Sequence, residues 1–353
     1  MSGLQLFLLL LVSVFVALLF MKRQWAWTYG RLALLTCVAA VMLLPFAWLM
    51  AAAFKDAKVL NEYTLLPTLD KMVGEQVLVD GEVTAVASLP PEQVAAFREQ
   101  EAAAEAAAVA EGLPVADGPV FTTLNADNFR VLFAEKDSAQ GPVSFWRYLA
   151  NSLFLASATT VVSLVFSSMG GYALAKYQFP GSGAILTFML ASLTIPGVVL
   201  LAPSYQIIDS LGWMDTYWAL IVPVTASAFG IFLFRQALLG VPGDLVEAGR
   251  IDGCGEFRIY LQLAMPLVRP MTGAFCLITF LTAWNSFLQP NIFLQTQSKL
   301  TLPVVLNQYI GVYTQEYGVF LAGTLIAIIP PAVLFLALQR EFIAGLTSGA
   351  VKQ

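Results

Sequence analysis

The sequence predicts an all-α membrane protein: a polytopic helical bundle with a small mixed insert on its extracytosolic side. Three observations carry this. Hydrophobic residues make up 58% of the 353 residues and charged ones only 12%, with mean hydropathy +0.76, more apolar character than a soluble domain of this size needs. The apolar residues gather in seven runs of roughly the length that crosses a bilayer. Lys and Arg near the ends of those runs fall mainly on one assigned side: Lys22, Arg23, Arg31, Lys176, Arg235, Arg250, Arg258, Arg269 and Arg340.

Composition also excludes several chemistries. There is no histidine, and Cys37, Cys254 and Cys276 have no metal-ligand spacing, so zinc sites, Cys–His catalysis and a disulfide framework are unsupported. Lys55 to Arg147 holds 15 acids against 7 bases, a balance of −8, while the rest of the chain balances at +3. An acidic exposed segment on a mildly basic membrane body argues against a nucleic-acid partner.

Leu4 to Phe20 is an apolar run of 17 residues, at the short end of what spans a bilayer. A cleaved signal peptide needs positive charge before such a run; here Lys22 and Arg23 follow it, which places the N-terminus outside. Residues 1–23 therefore form an N-terminal span. Residues 24–54 form the next, with Trp25 and Trp27 at its cytosolic edge and a kink expected at Pro45.

Residues 55–147 form the extracytosolic insert. Gln76 to Ala87 reads as a hairpin turning at Asp80-Gly81. Pro91 to Glu111, rich in Ala, Glu and Gln and ending at Gly112, reads as a helix. The insert is either a solvated, poorly ordered decoration or a docking surface for an extracytosolic partner.

The membrane core occupies residues 148–339. Tyr148 to Tyr172 runs inward and is rich in Ser and Gly, the composition of a close helix contact. Ala184 to Leu201 runs outward, interrupted at Pro196, and Tyr217 to Leu239 returns with Pro223 inside it. Leu267 to Leu288 runs outward again, and Gly318 to Leu338 inward, broken at Pro330-Pro331. Trp284, Asn285 and Gln289 make a polar-aromatic group on an apolar span, with Tyr205 and Gln206 as weaker companions. Such groups line a wet pathway, where sugars suit amides and aromatic faces, or they pack helix on helix.

Between two apolar runs lies Gly240 to Pro266, GVPGDLVEAGRIDGCGEFRIYLQLAMP. Pro242 and Asp244 mark a helix start. Leu245, Ala248 and Ile251 form an apolar stripe at helical spacing, and Gly253 and Gly255 end the helix in a tight reversal. By physics alone this is an amphipathic connector or a rigid knob at the bilayer surface.

The spacing goes further. Glu247-Ala248, Gly253 six residues after the glutamate and Pro266 thirteen beyond that resemble the coupling loop of permease subunits of ATP-binding-cassette importers. The pattern there is Glu-Ala-Ala, three residues, Gly, nine residues, Ile-x-Leu-Pro. The letters EAGRIDG resemble the carbohydrate-uptake branch, and within it the maltose-type second permease. Gly249, Leu263 and Met265 depart from the pattern, Gly249 at a cost of about 1 kcal/mol within a helix. The resemblance covers Gly30 to Lys55 and about Asn125 to the end. Asn125 to Phe133 is similar to the family's short amphipathic segment on the outer membrane face.

The resemblance implies a six-span type I permease core, here with one extra N-terminal span, in a bacterial inner membrane with the C-terminus cytosolic. It implies a second permease subunit, two nucleotide-binding subunits that hydrolyse ATP with Mg, an extracytosolic solute-binding protein and a sugar substrate. It assigns Glu247, Ala248, Gly249, Arg250, Ile251, Asp252, Gly253 and Pro266 to contact with a nucleotide-binding subunit. Glu247 and Arg250 would supply ion pairs there. The tail, residues 340–353, carries Gly345, Leu346, Thr347, Ser348 and Gly349 into the groove between those subunits, or it is a frayed end. The chain itself has no catalytic set, metal site or bound cofactor, and no phosphate-binding glycine loop. The competing readings are a stand-alone secondary transporter or channel, which would show internal repeats and buried titratable groups, and a membrane-anchored enzyme acting through the insert.

Overall fold

The computed structural model describes residues 23–54, 76–79, 82–85, 126–136, 141–310 and 316–350. The run Leu4 to Phe20 and the stretch Pro91 to Glu111 lie outside the described residues. The chain divides into two units, residues 1–126 and 127–353.

In the first unit, helix α1 (Arg23–Ala53) continues through Pro45. From Leu32 to Met50 its apolar side chains are mostly exposed, Leu34 and Met42 each keeping about two-thirds of their surface open, while Ala51 to Ala53 are buried. Such a helix belongs in hydrocarbon, where a proline such as Pro45 is tolerated within a span. Strands β1 (Gln76–Val79) and β2 (Glu82–Ala85) pair antiparallel with Val79 opposite Glu82, within the stretch where the sequence predicts a hairpin. The expected turn at Asp80-Gly81 lies outside the described residues.

The second unit is built on one long helix. After α2 (Asp127–Phe133), α3 runs from Phe145 to Lys176, about 48 Å at 1.5 Å per residue. One face of α3 is buried: Tyr148, Ser152, Leu155, Thr159, Ser163, Ser167 and Gly171 recur three or four residues apart. Leu153, Phe154, Val161 and Val165 on the other side are exposed.

Next come α4 (Ser182–Ser192), α5 (Leu201–Ser210) and α6 (Trp218–Ile221), the last continued by a 3-10 turn, Val222–Val224. The helix α7 (Ala228–Leu239) begins at Ser227, whose hydroxyl accepts from the Gly230 N–H. The expected span Ala184 to Leu201 is thus not one helix. It stops at Ser192 and passes through successive turns around Pro196, because proline supplies no N–H and crowds the turn before it.

Helices α3 and α7 cross closely. A Cβ on Gly171 would lie 2.6 Å from Phe234 Cβ and 2.8 Å from the Arg235 backbone nitrogen. A Cβ on Gly230 would lie 2.8 Å from Ser167 Cβ. The small residues that the sequence marks for close contact are those that let the two backbones meet.

Residues 240–267 form α8 (Gly243–Ile251), α9 (Glu256–Ile259), a π turn (Tyr260–Ala264) and α10 (Met265–Leu267). Helix α11 (Arg269–Trp284) then leaves at 86° to the segment before it. Beyond it lie α12 (Leu288–Phe293), α13 (Leu302–Gln308), α14 (Tyr317–Ala327) and α15 (Ile329–Ala350). The break expected at Pro330-Pro331 falls at Ile328, so both prolines sit in the first turn of α15, where their missing N–H groups forfeit no intrahelical bond. α15 packs on α11, where a Cβ on Gly273 would lie 2.6 Å from Glu341 Cβ.

Apolar clusters sit at both ends of α3. The lower one, beside residues 240–268, joins Tyr172, Phe234, Leu238, Tyr260, Val268 and Phe275. The upper one joins Tyr148, Leu155, Ile208, Leu220, Phe293 and Val305. Among the described residues four helical segments are long and apolar enough to cross a membrane, or five if the bent pair ending in α11 is one span. The other expected spans are the short apolar α4 and the N-terminal run outside the described residues.

Candidate functional site

The loop at the lower end is stiff for reasons visible in its backbone. Pro242 precedes α8, and Asp244 lies in its first turn, where a carboxylate complements the helix dipole. The helix ends on Gly253, at φ +77°. There the Cys254 N–H donates to the Gly249 carbonyl (2.9 Å) and the Gly253 N–H to the Arg250 carbonyl (3.0 Å), the paired bonds of a Schellman ending. Gly255 then starts α9, with Glu256 in its first turn.

Val246 and Gly249 form the inner face of α8. A Cβ on Gly249 would stand 3.0 Å from Leu263 Cδ1 and 3.2 Å from Ile259 Cγ1. The departure from the Glu-Ala-Ala pattern therefore accommodates this chain's own second segment. Leu245, Glu247, Ala248, Ile251, Asp252 and Pro266 are exposed, and Ile251 keeps 86% of its surface. The apolar stripe read from the sequence thus points away from the rest of the chain.

Arg250, also exposed, makes a contact within the chain. Its Nε donates to Glu256 Oε1 at 2.6 Å, while the Tyr177 hydroxyl donates to Glu256 Oε2 at 2.6 Å. One carboxylate thus joins α8, α9 and the residue that follows α3. Partial burial and the adjacent Glu256 push the Tyr177 phenol up to about 12. Glu256 is held below the usual carboxylate range, first by Arg250 and then by Tyr177. Lys176 Nζ donates to the Val241 carbonyl (2.6 Å), and the Tyr260 and Ser168 hydroxyls meet at 2.7 Å.

Halfway along α3, between the two apolar clusters, lies a cavity of about 270 Å³. α3 contributes Thr159 and Ser163, α11 contributes Thr279 and Thr282, and Ser227, Ser286 and Gln289 complete its polar lining. Leu155, Leu220, Phe229, Phe275 and Ile278 are among its apolar walls.

Of the polar-aromatic group named from the sequence, only Gln289 reaches this cavity. Trp284 is buried and stacks on Phe280 with centroids 5.7 Å apart. Asn285 turns its amide back to the Leu281 carbonyl at 2.9 Å. Tyr205 lies over Phe293 at 6.5 Å, and Gln206 is exposed. The hydroxyls that do line the cavity carry a readable signal, recurring at i, i+4 on α3 and at i, i+3, i+7 along 279, 282 and 286. In the tail, Gly345 to Gly349 continue α15 as helix.

At the upper end, Asp215 adopts φ +56° and gathers the loop after α12. Its carboxylate accepts from the Gln295 and Thr296 N–H groups (both 2.9 Å), the Thr296 hydroxyl (2.6 Å) and Lys299 Nζ (2.8 Å). Burial pushes its pKa up, but these four donors outweigh that and hold it far below the usual range. The same loop is tied to α3 by Asn151, whose amide donates to the Ser298 and Leu300 carbonyls at 2.9 and 3.0 Å.

Comparison with known proteins bears on both ends. Residues 167–342 match the family described as "Binding-protein-dependent transport system inner membrane component". The arabinooligosaccharides transport system permease protein of Halalkalibacterium halodurans is 38% identical over 231 residues, covering 65% of this chain and 81% of the relative. The lactose transport system permease protein of Rhizobium radiobacter is 33% identical over 232 residues, covering 66% and 82%. A chain from the crystal structure of a bacterial transporter involved in import of the acidic polysaccharide alginate superposes with TM-score 0.63 at 20% identity, covering 92% of this chain and 99% of that one.

Proposed function

Since the chain belongs to the family of binding-protein-dependent transport system inner membrane components, and so is a permease subunit of an ATP-binding-cassette importer, we propose that residues 240–266 are its contact with a nucleotide-binding subunit and that its solute is a sugar or oligosaccharide. The observation that carries the first part is the outward ridge of Leu245, Ala248 and Ile251, edged by Glu247 and Asp252, on a helix whose inner face is already filled. Apolar side chains held open on a rigid segment stand ready for a partner groove. The sugar is supported by the relatives, transport proteins for arabinooligosaccharides and lactose.

In this reading ATP with Mg is bound and hydrolysed by the partner subunits, not by this chain. Their motion displaces α8, and the Arg250–Glu256–Tyr177 contacts carry that displacement into α9 and α3. A second permease subunit supplies the other half of the pathway. The N-terminus and residues 55–147 lie outside, where the acidic insert docks the solute-binding protein, and the tail from 340 to 353 lies inside against the nucleotide-binding subunits. A stand-alone transporter or channel would leave the ridge without a use.

Replacing Ile251 by Asp in the purified complex tests the contact. The nucleotide-binding subunits are expected to lose co-purification or stimulated hydrolysis while the permease still inserts. Wild-type assembly together with wild-type uptake would refute it.

A further inference from the structure

We propose that the cavity between α3, α7 and α11 is a solute-contacting site of this chain and that it admits an uncharged polyhydroxylated molecule rather than an anion, an inference that rests on the permease reading above. Several hydroxyls on these helices are not used within the chain. Serine and threonine in an apolar helix ordinarily donate to the carbonyl one turn back. Thr160 does so to Ala156 at 2.7 Å, and Thr282 to Ile278 at 2.8 Å. Thr159, next to Thr160, does not, and neither do Ser163, Thr279 or Ser286. Among the described residues these four and Gln289 have no side-chain hydrogen bond, and all five open onto the one cavity. Polar groups in hydrocarbon are costly unless they face a wet space or a ligand.

The class of ligand follows from which groups converge. Ser and Thr hydroxyls both donate and accept, and a Gln amide offers both functions. That is the complement of a sugar hydroxyl. Phe229 and Phe275 add aromatic surface for its C–H faces. No Lys, Arg, Asp or Glu lines the space. An anion entering it would lose water without gaining a cation or an array of N–H donors, a heavy penalty in an apolar setting. At about 270 Å³ the cavity falls just below the roughly 300–1,000 Å³ of pockets that enclose drug-sized ligands. It suits one sugar ring at a time, passed along a chain of rings.

The test uses the complete transporter, with its partner subunits and binding protein, in proteoliposomes. They are offered a mixture of neutral di- and trisaccharides, uronate oligosaccharides and sugar phosphates, and accumulated species are resolved by mass. Neutral saccharides alone are expected to accumulate. Thr279→Val and Thr159→Val, which remove one oxygen at nearly constant volume, are each expected to slow uptake by about three- to tenfold, as loss of a net hydrogen bond does, while ATP hydrolysis stimulated by the loaded binding protein changes less than about twofold. Thr160→Val, whose hydroxyl is already bonded to its own helix, is the matched control and should transport as wild type. Accumulation of a uronate or sugar phosphate as fast as any neutral saccharide, or of no neutral saccharide despite stimulated hydrolysis, overturns the neutral-solute assignment. Unchanged uptake in both valine variants overturns the contact. If the wild-type complex shows neither uptake nor stimulated hydrolysis, the permease reading fails and takes this inference with it.

Discussion

Tyr177 donates its phenolic O–H to Glu256 across 2.6 Å, so the residue that closes α3 holds the first turn of α9. The opposite oxygen of the same carboxylate takes Arg250 from α8. Three segments remote in direction meet on one acid at the surface, where net ion-pair stabilisation is small. Their value is therefore positional, and the consequences concern coupling more than stability.

Glu256→Gln is expected to leave the subunit inserted and the complex assembled, but to lower the solute moved per ATP hydrolysed severalfold. Parallel measurement of uptake and hydrolysis checks it, and an unchanged ratio would show that the loop is held by packing alone.

The pH dependence has a definite sign. Glu256 is depressed, so its contribution is present above the ordinary carboxylate pKa of about 4.3 and is lost as pH falls through its lowered value. Tyr177 is raised to about 12, so its contribution is present below the ordinary phenol pKa and is lost as pH rises through about 12. Between about pH 5 and 9 the melting difference between wild type and Tyr177→Phe should stay constant. A difference that titrates within that window would mean another group controls the contact.

Two glycines of the loop should respond unequally. Gly253→Ala puts a Cβ into open space but at φ +77°, and should destabilise by roughly 1–2 kcal/mol. Gly249→Ala gains about 1 kcal/mol in helix propensity, but its Cβ presses on Leu263 Cδ1 at 3.0 Å and Ile259 Cγ1 at 3.2 Å, so the two effects should nearly cancel. Thermal melting of the two variants in detergent ranks them, and the reverse order would contradict the geometry.

At the upper end, Asp215→Ala should destabilise by roughly 1–3 kcal/mol, removing a partly buried carboxylate that accepts charge-assisted bonds. The loop from Gln295 to Leu300 should become the first site of limited proteolysis. Since the Asp215 pKa is depressed, its contribution persists down to strongly acid pH before it is lost. Loss of the wild-type clasp near pH 5 would assign the depression to the wrong group.

How much of this the sequence revealed depends on the range of the interaction. The hairpin at 76–85, the interruption at Pro196 and the reversal at Gly253 are set by residues within a turn of one another, and all were readable. The face of α8 was not. Spacing identifies Leu245, Ala248 and Ile251 as one stripe, but whether a stripe meets its own chain or a partner depends on what else fills the interior, and here Val246 and Gly249 do. The Arg250–Glu256 contact was not legible because the acid lies six residues on, beyond a glycine turn. The cavity was least legible: Thr159 and Thr279 are far apart in the chain, and only helix packing makes them face each other. Trp284 and Asn285 stand out by type, but the first stacks on Phe280 and the second bonds its own helix.

Helix α3 is pinned to the lower loop through Lys176 and Val241, and to the upper loop through Asn151 and the carbonyls of Ser298 and Leu300. Between those pins it is unbroken, with no proline among its 32 residues. An unbroken helix pinned in this way would carry a displacement applied at one end to the other as a single body. Compliance has to reside in its neighbours, in the turns at Pro196, the 3-10 segment before Ser227 and the bend at Val268.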